Sequence, residues 1–373
     1  MFTAINHSKN ERFQVVWDLG RRCTYSCSYC GPHHSNKTSP LVDIEKLKNT
    51  LDGLVEYSVL LNKYRIEEKI TDISFTGGEP TIHPDFFPFI EHLKIKYPQL
   101  RTHITTNGCY TEKKCNKIIQ NMDSATISYH PEASMKEKEL VLDNLQRMVD
   151  ANFSVSVNVM FHKDYFEECK NVSKYCKVLG IKYTPRPIGD SNNASDVLDG
   201  TAHTYSSKEL DYIQQGWKTD VMTMASTSIE TIGRPCCNGK CLSVKINDSW
   251  RKQPYVPSTN FYNWNCMVNW DFLFINSEFD TVYFHQTCKV NLDSEIGPIG
   301  KASDFMSIVE KYKNMFEKGT VPVIRCPKTH CGCGLCSPKA KEQFEAENIF
   351  AEKVKDVQPK FIDKHKERSY NKL

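Results

Sequence analysis

Through the first half of the chain, short runs rich in β-branched and aromatic residues alternate with longer stretches in which apolar residues recur every three or four positions. The extended runs cover 13–19, 70–75, 102–106, 124–128, 154–160 and 181–186. Helical spacing covers about 43–58, 84–97, 111–121, 135–151 and 165–178, several of these opened by Asp, Ser or Pro at a cap or first-turn position. Such repeats predict a parallel sheet with crossover helices, because neighbouring parallel strands need a long connection. Periodicity does not separate an open doubly wound sheet from a partial barrel. In either, functional groups gather at the C-terminal ends of the strands. The polar stretch from Ile188 to Gly200 ends the pattern and reads as a loop. A first domain is therefore expected over 1–190, then a connector over 191–265. Two extended runs around a polar turn predict a hairpin within Trp270 to Phe284, and a helical stretch is expected from Pro338 to Phe350. Residues 266–350 are read as a second, smaller domain and 351–373 as a basic tail.

Composition adds little to this outline and excludes some functions. The chain has 373 residues, 39% hydrophobic and 25% charged, enough for a large barrel-type domain plus a smaller one. No apolar run approaches the ~18 residues of a membrane span. The first ten residues lack a secretory layout, so a cytoplasmic protein without a membrane partner is expected. Net charge is only +3, and the basic excess sits in the last 21 residues. A nucleic-acid partner has little support from a near-neutral core.

The 16 cysteines change the picture more. They fall in short clusters in a large chain, which fits metal ligation in a reducing compartment better than disulfides. Cys23, Cys27 and Cys30 follow the first extended run closely. Three thiolates with no fourth nearby suit three irons of a [4Fe-4S] cluster whose fourth iron stays open for a ligand. Cys109, Cys115, Cys169 and Cys176 lie apart and read as ordinary thiols.

The spacing CxxxCxΦC, with Tyr29 just before the last cysteine, resembles the signature of the radical S-adenosylmethionine (SAM) superfamily. The resemblance implies an α/β fold with a partial (β/α)6 TIM barrel core. It also implies SAM chelated at the open iron of a [4Fe-4S] cluster, reductive cleavage to a 5′-deoxyadenosyl radical, and an external one-electron donor such as flavodoxin or ferredoxin. Tyr29 is placed near the adenine. Gly77-Gly78-Glu79-Pro80, after the second run, resembles the family's GGEP segment. Its glycines permit close backbone approach, and Glu79 offers an acceptor for the methionyl ammonium. Thr105-Thr106-Asn107-Gly108 is similar to another family turn. Ser128 and Asn158 stand where relatives bind the SAM ribose and carboxylate, and Arg186 is placed to meet a carboxylate. His33 and His34 read as loop residues, and His130 as a candidate substrate contact.

A second cysteine system lies further on. Cys266 and Cys288 flank the predicted hairpin, and Cys326, Cys331, Cys333 and Cys336 follow. This resembles the twitch or SPASM auxiliary-cluster extension and implies a second [4Fe-4S] cluster on Cys266, Cys288, Cys333 and Cys336. Cys331 is the substitute ligand, Cys326 is read as spare, and structural zinc is the alternative. Cys236, Cys237 and Cys241 fit a ligand, a redox thiol or a turn. The expected activity is hydrogen-atom abstraction from a small-molecule or peptide substrate, with peptide modification favoured by analogy. The alternatives are a non-catalytic iron-sulfur or zinc protein, and an RNA-modifying radical enzyme. No protein side chain is singled out as catalytic.

Overall fold

The structure is a computed structural model that describes residues 4–6, 12–30, 35–65, 68–188, 205–222, 242–246, 249–253, 260–285, 297–319, 322–326 and 339–342; within it, residues 4–6, 214, 216–222, 242–246 and 249–253 are described as backbone only. Strand β1 (Ala4–Asn6) is followed by β2 (Arg12–Asp18), α1 (Ile44–Tyr64), β3 (Ile70–Thr76), α2 (Phe86–Lys96), β4 (Arg101–Thr106) and α3 (Glu112–Asn121). Next come β5 (Ser124–Tyr129), α4 (Met135–Asp150), β6 (Val155–Phe161), α5 (Phe166–Val178) and β7 (Lys182–Pro187). These boundaries lie within a few residues of the periodicity, except that α1 runs six residues further than expected, to Tyr64. Local signals set the helix starts. Asp43 caps α1 by accepting from Lys46 N at 3.0 Å, and Ser134 with Glu137 forms a capping box on α4.

The beyond-β7 elements are α6 (Ser207–Met222), β8 (Leu242–Ile246), β9 (Ser249–Gln253), β10 (Asn265–Cys266), β11 (Phe272–Asn276), β12 (Thr281–Tyr283), α7 (Phe305–Glu317), β13 (Ile324–Arg325) and β14 (Lys339–Ala340). The main sheet has eight strands in the order β12-β11-β2-β3-β4-β5-β6-β7. From β2 to β7 the order is sequential and every pair is parallel. A doubly wound sheet reverses its order at a switch point, so this is barrel-type winding, open between its two edges. One face of each strand is buried under the helices, as with Phe13, Val15 and Trp17 on β2. The other face is half-exposed and lines the concave side.

The predicted hairpin exists as β11–β12, with Phe274 opposite Tyr283. It does not stand apart. Strand β11 lies parallel to β2 with Phe272 opposite Gln14 and Asn276 opposite Asp18, so the main sheet reaches well past residue 190 in sequence. Helix α7 covers that edge against α1, where a Cβ on Gly53 would come within 2.5 Å of Phe305 Cβ. A six-stranded antiparallel sheet, β13-β10-β14-β1-β8-β9, unites short strands from distant parts of the chain. Helix α6 and the β8–β9 pair were not foreseen in the connector. Lys339–Ala340 is extended and pairs with β10, so the start of the helical stretch expected from Pro338 is strand; cross-strand pairing overrides local propensity there. Among the described residues no helix is long and apolar enough to cross a membrane.

Candidate active site

Strand β2 ends at Asp18, and the chain turns at Gly20, whose φ of 118° is a conformation that glycine adopts readily. From there the root of the cysteine loop is held on two sides. Gly78 N donates to Gly20 O at 2.8 Å and Glu79 N to Arg22 O at 2.7 Å. On the opposite side Asn36 N donates to Arg21 O at 2.8 Å and Cys23 N to Asn36 O at 3.0 Å. A Cβ on Gly77 would lie 2.4 Å from Gly20 O, and one on Gly78 2.3 Å from Arg22 O. The two glycines are therefore required by contact with the loop root, where the sequence reading invoked contact with a ligand.

Higher in the loop, Lys37 Nζ donates to the carbonyls of Cys23, Thr24 and Tyr25 at 2.7, 2.6 and 2.9 Å. Asn107 Nδ2 donates to Thr24 Oγ1 at 2.8 Å, which ties the loop to the end of β4. Ser28 donates to Glu132 from both its backbone N (2.7 Å) and its hydroxyl (2.6 Å). Glu132 also meets His162 Nε2 at 3.4 Å; His162 Nδ1 accepts from Asp164 N, which leaves the proton on Nε2. Nothing in the local sequence marks Lys37 or Glu132 for these roles.

Cys23, Cys27 and Cys30 are all half-buried. Burial pushes the Cys27 thiol up to about 12, and burial together with the nearby Cys23 raises Cys30. Adjacent thiolates there call for a cationic partner. Among the described residues no three His, Cys, Asp or Glu side chains converge on one ion-sized point. Three soft thiolates on one loop suit the irons of an iron-sulfur cluster, which take thiolate ligands.

Tyr29 stacks on His130 with ring centroids 6.0 Å apart and planes 9° apart. Burial drives His130 down to about 4, so its ring is neutral, and Nδ1 accepts from Tyr29 Oη at 2.7 Å while lying 3.5 Å from Cys27 Sγ. His130, read as a substrate contact, is packed against the cysteine loop. His33 and His34 lie outside the described residues.

Glu79 is buried, and its carboxylate accepts from Thr81 N (3.0 Å), Thr81 Oγ1 (2.7 Å), Thr106 Oγ1 (2.7 Å) and Asn107 N (2.7 Å). Desolvation raises its pKa against the pull of these donors. Its side chain joins the ends of β3 and β4 and faces the interior. Pro80 opens a short 3-10 turn behind it.

Ser128, Asn158 and Arg186 come together on the concave face. Ser128 is opposite Asn158 across β5–β6, and Arg186 Nε donates to Asn158 Oδ1 at 3.1 Å. Below them the wall stays polar: Thr126 bonds Ser156 at 2.9 Å, and His103 Nδ1 bonds Ser124 Oγ at 2.8 Å.

Of the second cysteine system, Cys266 and Cys326 are described and buried, whereas Cys236, Cys237, Cys241, Cys288, Cys331, Cys333 and Cys336 lie outside the described residues. Cys266 is opposite Ile324, and Cys326 N bonds Trp264 O at 2.8 Å, so Cys266 and Cys326 share one face as diagonal neighbours. Cys326, read as spare, stands beside the first of the proposed ligands. Cys115, Cys169 and Cys176 are buried between helices and sheet.

Comparison with known proteins agrees with the first site. Residues 17–176 match the model of the Radical SAM superfamily. The chain is similar to GTP 3′,8-cyclase of Nautilia profundicola, 24% identical over 208 residues that cover 51% of this chain and 63% of that protein. It is also similar to GTP 3′,8-cyclase of Campylobacter curvus, 25% identical over 205 residues, 52% of this chain and 60% of that one. It thus spans about 60% of the length of these relatives. A solved structure, native anSMEcpe with bound AdoMet, aligns over 95% of this chain and 100% of that one, with 15% identity and a TM-score of 0.48.

Proposed function

Since residues 17–176 form a radical SAM domain, a [4Fe-4S] and SAM-dependent enzyme domain, we propose that the chain abstracts a hydrogen atom from a small polar substrate held against the concave face of the sheet. When bound, the cluster and SAM supply the reductive cleavage and the 5′-deoxyadenosyl radical. The chain's own residues bind and orient. Cys23, Cys27 and Cys30 provide three thiolates on a loop fastened at Gly20–Arg22, Ser28 and Thr24. The Gly77–Pro80 segment, by its backbone carbonyls and by Glu79 Oε2, which among the described residues accepts only from Asn107 N, offers acceptors for the SAM ammonium. Ser128, Asn158 and Arg186 form a polar group suited to the SAM ribose and carboxylate. Tyr29 is the aromatic residue for the adenine side.

The observation that carries this reading is the placement of the three thiols at the C-terminal mouth of a parallel sheet whose inner face is polar. Such a wall suits a ligand rich in hydroxyl, amide or phosphate groups better than an apolar side chain. The name of the curated relatives, GTP 3′,8-cyclase, puts nucleoside triphosphates among the first compounds to test. Peptides remain the second class, from the twitch-like cysteine pattern. Electrons come from a flavodoxin or ferredoxin. A second [4Fe-4S] cluster on Cys266, Cys288, Cys333 and Cys336, in a C-terminal auxiliary domain, would accept the electron left on the substrate radical or bind substrate.

The test is anaerobic reconstitution followed by screening nucleotides, sugars and peptides for substrate-dependent 5′-deoxyadenosine. Stimulation by a polar small molecule supports the reading. Stimulation by peptides alone replaces the substrate class, and no deoxyadenosine from SAM under any reductant removes the activity.

A further inference from the structure

The turn of the β11–β12 hairpin reaches the root of the cysteine loop from more than 250 residues away in sequence. The Glu278 side chain is 4% exposed. Its carboxylate accepts from Arg21 N at 3.1 Å, from Arg21 Nε at 3.0 Å, from Arg21 Nη2, and from Ser39 Oγ at 2.9 Å. Next to it, Ser277 N donates to Asp18 O and Ser277 Oγ accepts from Trp17 Nε1 at 2.8 Å. Phe279 completes the contact, with the Arg21 guanidinium 5.2 Å from its ring centre. Arg21 stands two residues before Cys23, and Ser39 is on the strand of chain that returns from the loop through Asn36. One buried carboxylate thus joins both limbs of the loop to a segment flanked by Cys266 and Cys288.

We propose that Glu278 is a positioning residue for the Cys23/Cys27/Cys30 loop, so that the β11–β12 hairpin is a working part of the first cluster's site. This rests on the radical SAM reading. The same turn supplies its own control: Asp280 accepts from Ser303 N and Ser303 Oγ, both at 2.7 Å, and among the described residues its side chain bonds no part of the cysteine loop. Loss of a hydrogen-bond partner of a metal ligand typically costs about 10–100-fold in metal affinity, and Glu278, which acts one step further out through Arg21 and Ser39, is expected at the lower end.

The experiment compares Glu278→Gln, Glu278→Asp and Asp280→Asn in the full chain, reconstituted anaerobically. It reads the rate at which the SAM-sensitive EPR signal of the reduced cluster disappears under an iron chelator, together with the melting temperature. The expected result is about tenfold faster loss in Glu278→Gln, partial rescue in Glu278→Asp, and the parent rate in Asp280→Asn. A parent rate in Glu278→Gln overturns the inference, as does equal loss in Asp280→Asn, which would reduce Glu278 to holding the turn. An EPR signal indifferent to SAM in the parent, or surviving in the Cys23/Cys27/Cys30→Ala variant, removes the radical SAM reading and the inference with it.

Discussion

Four donors converge on the buried carboxylate of Glu79. Each buried donor left without an acceptor costs about 1–3 kcal/mol, so Glu79→Ala is expected to destabilise the protein by roughly 3 kcal/mol or more. The denaturation midpoint checks this, with or without SAM. An unchanged midpoint with weakened SAM binding would assign the carboxylate to the ligand role alone. At this scale the sequence was informative where chemistry is written in local spacing: the cysteine triplet stands out, and the Gly77–Pro80 segment gains its meaning from lying one strand downstream of it. It was silent on Lys37, Glu132 and Glu278. Their charges are common surface types, and what makes them part of the site is the partner each one meets, across the cysteine loop for Lys37 and from far along the chain for Glu132, which meets Ser28 at a separation of 104.

Among the elements, the six βα repeats were readable because helical and strand periodicity are local properties. The hairpin was also readable, but its parallel alignment with β2 was not, since pairing partners are not encoded in the alternation of either strand. The same distinction explains the glycines. Their need for close approach was foreseen, and the surface approached, the backbone of Gly20–Arg22, depended on the fold. Gly78→Ala puts a methyl 2.3 Å from Arg22 O, and backbone cannot yield there as a flexible side chain would. The variant is expected to retain the βα sheet by circular dichroism while losing most of the iron bound at the triplet. Full iron content with normal SAM binding would contradict the tight-docking account. A chain ending at residue 259 strips β11 and β12 from the sheet and α7 from α1, exposing the core around Trp17, Tyr57 and Leu54. It is expected to aggregate on expression, and a soluble, monomeric product by light scattering would show that residues 1–259 hold the sheet without β11, β12 and α7.

For the molecule as a whole, the β11–β12 hairpin that follows Cys266 in sequence joins the main sheet and meets the root of the first cysteine loop, which stands at the mouth of the concave polar face. If the second holds its own cluster on Cys266, Cys288, Cys333 and Cys336, a Cys23/Cys27/Cys30→Ala protein should remain brown, with about four irons and about four sulfides per chain. One zinc and no iron in that protein would reduce the C-terminal site to structural support and leave the radical chemistry untouched. The central claim, that the triplet holds the iron at which SAM is cleaved, is tested most directly by 5′-deoxyadenosine formation. Parent and Cys23/Cys27/Cys30→Ala proteins are reconstituted anaerobically and given SAM and dithionite. The account predicts 5′-deoxyadenosine from the parent and none above background from the triple variant; equal formation by both would contradict it.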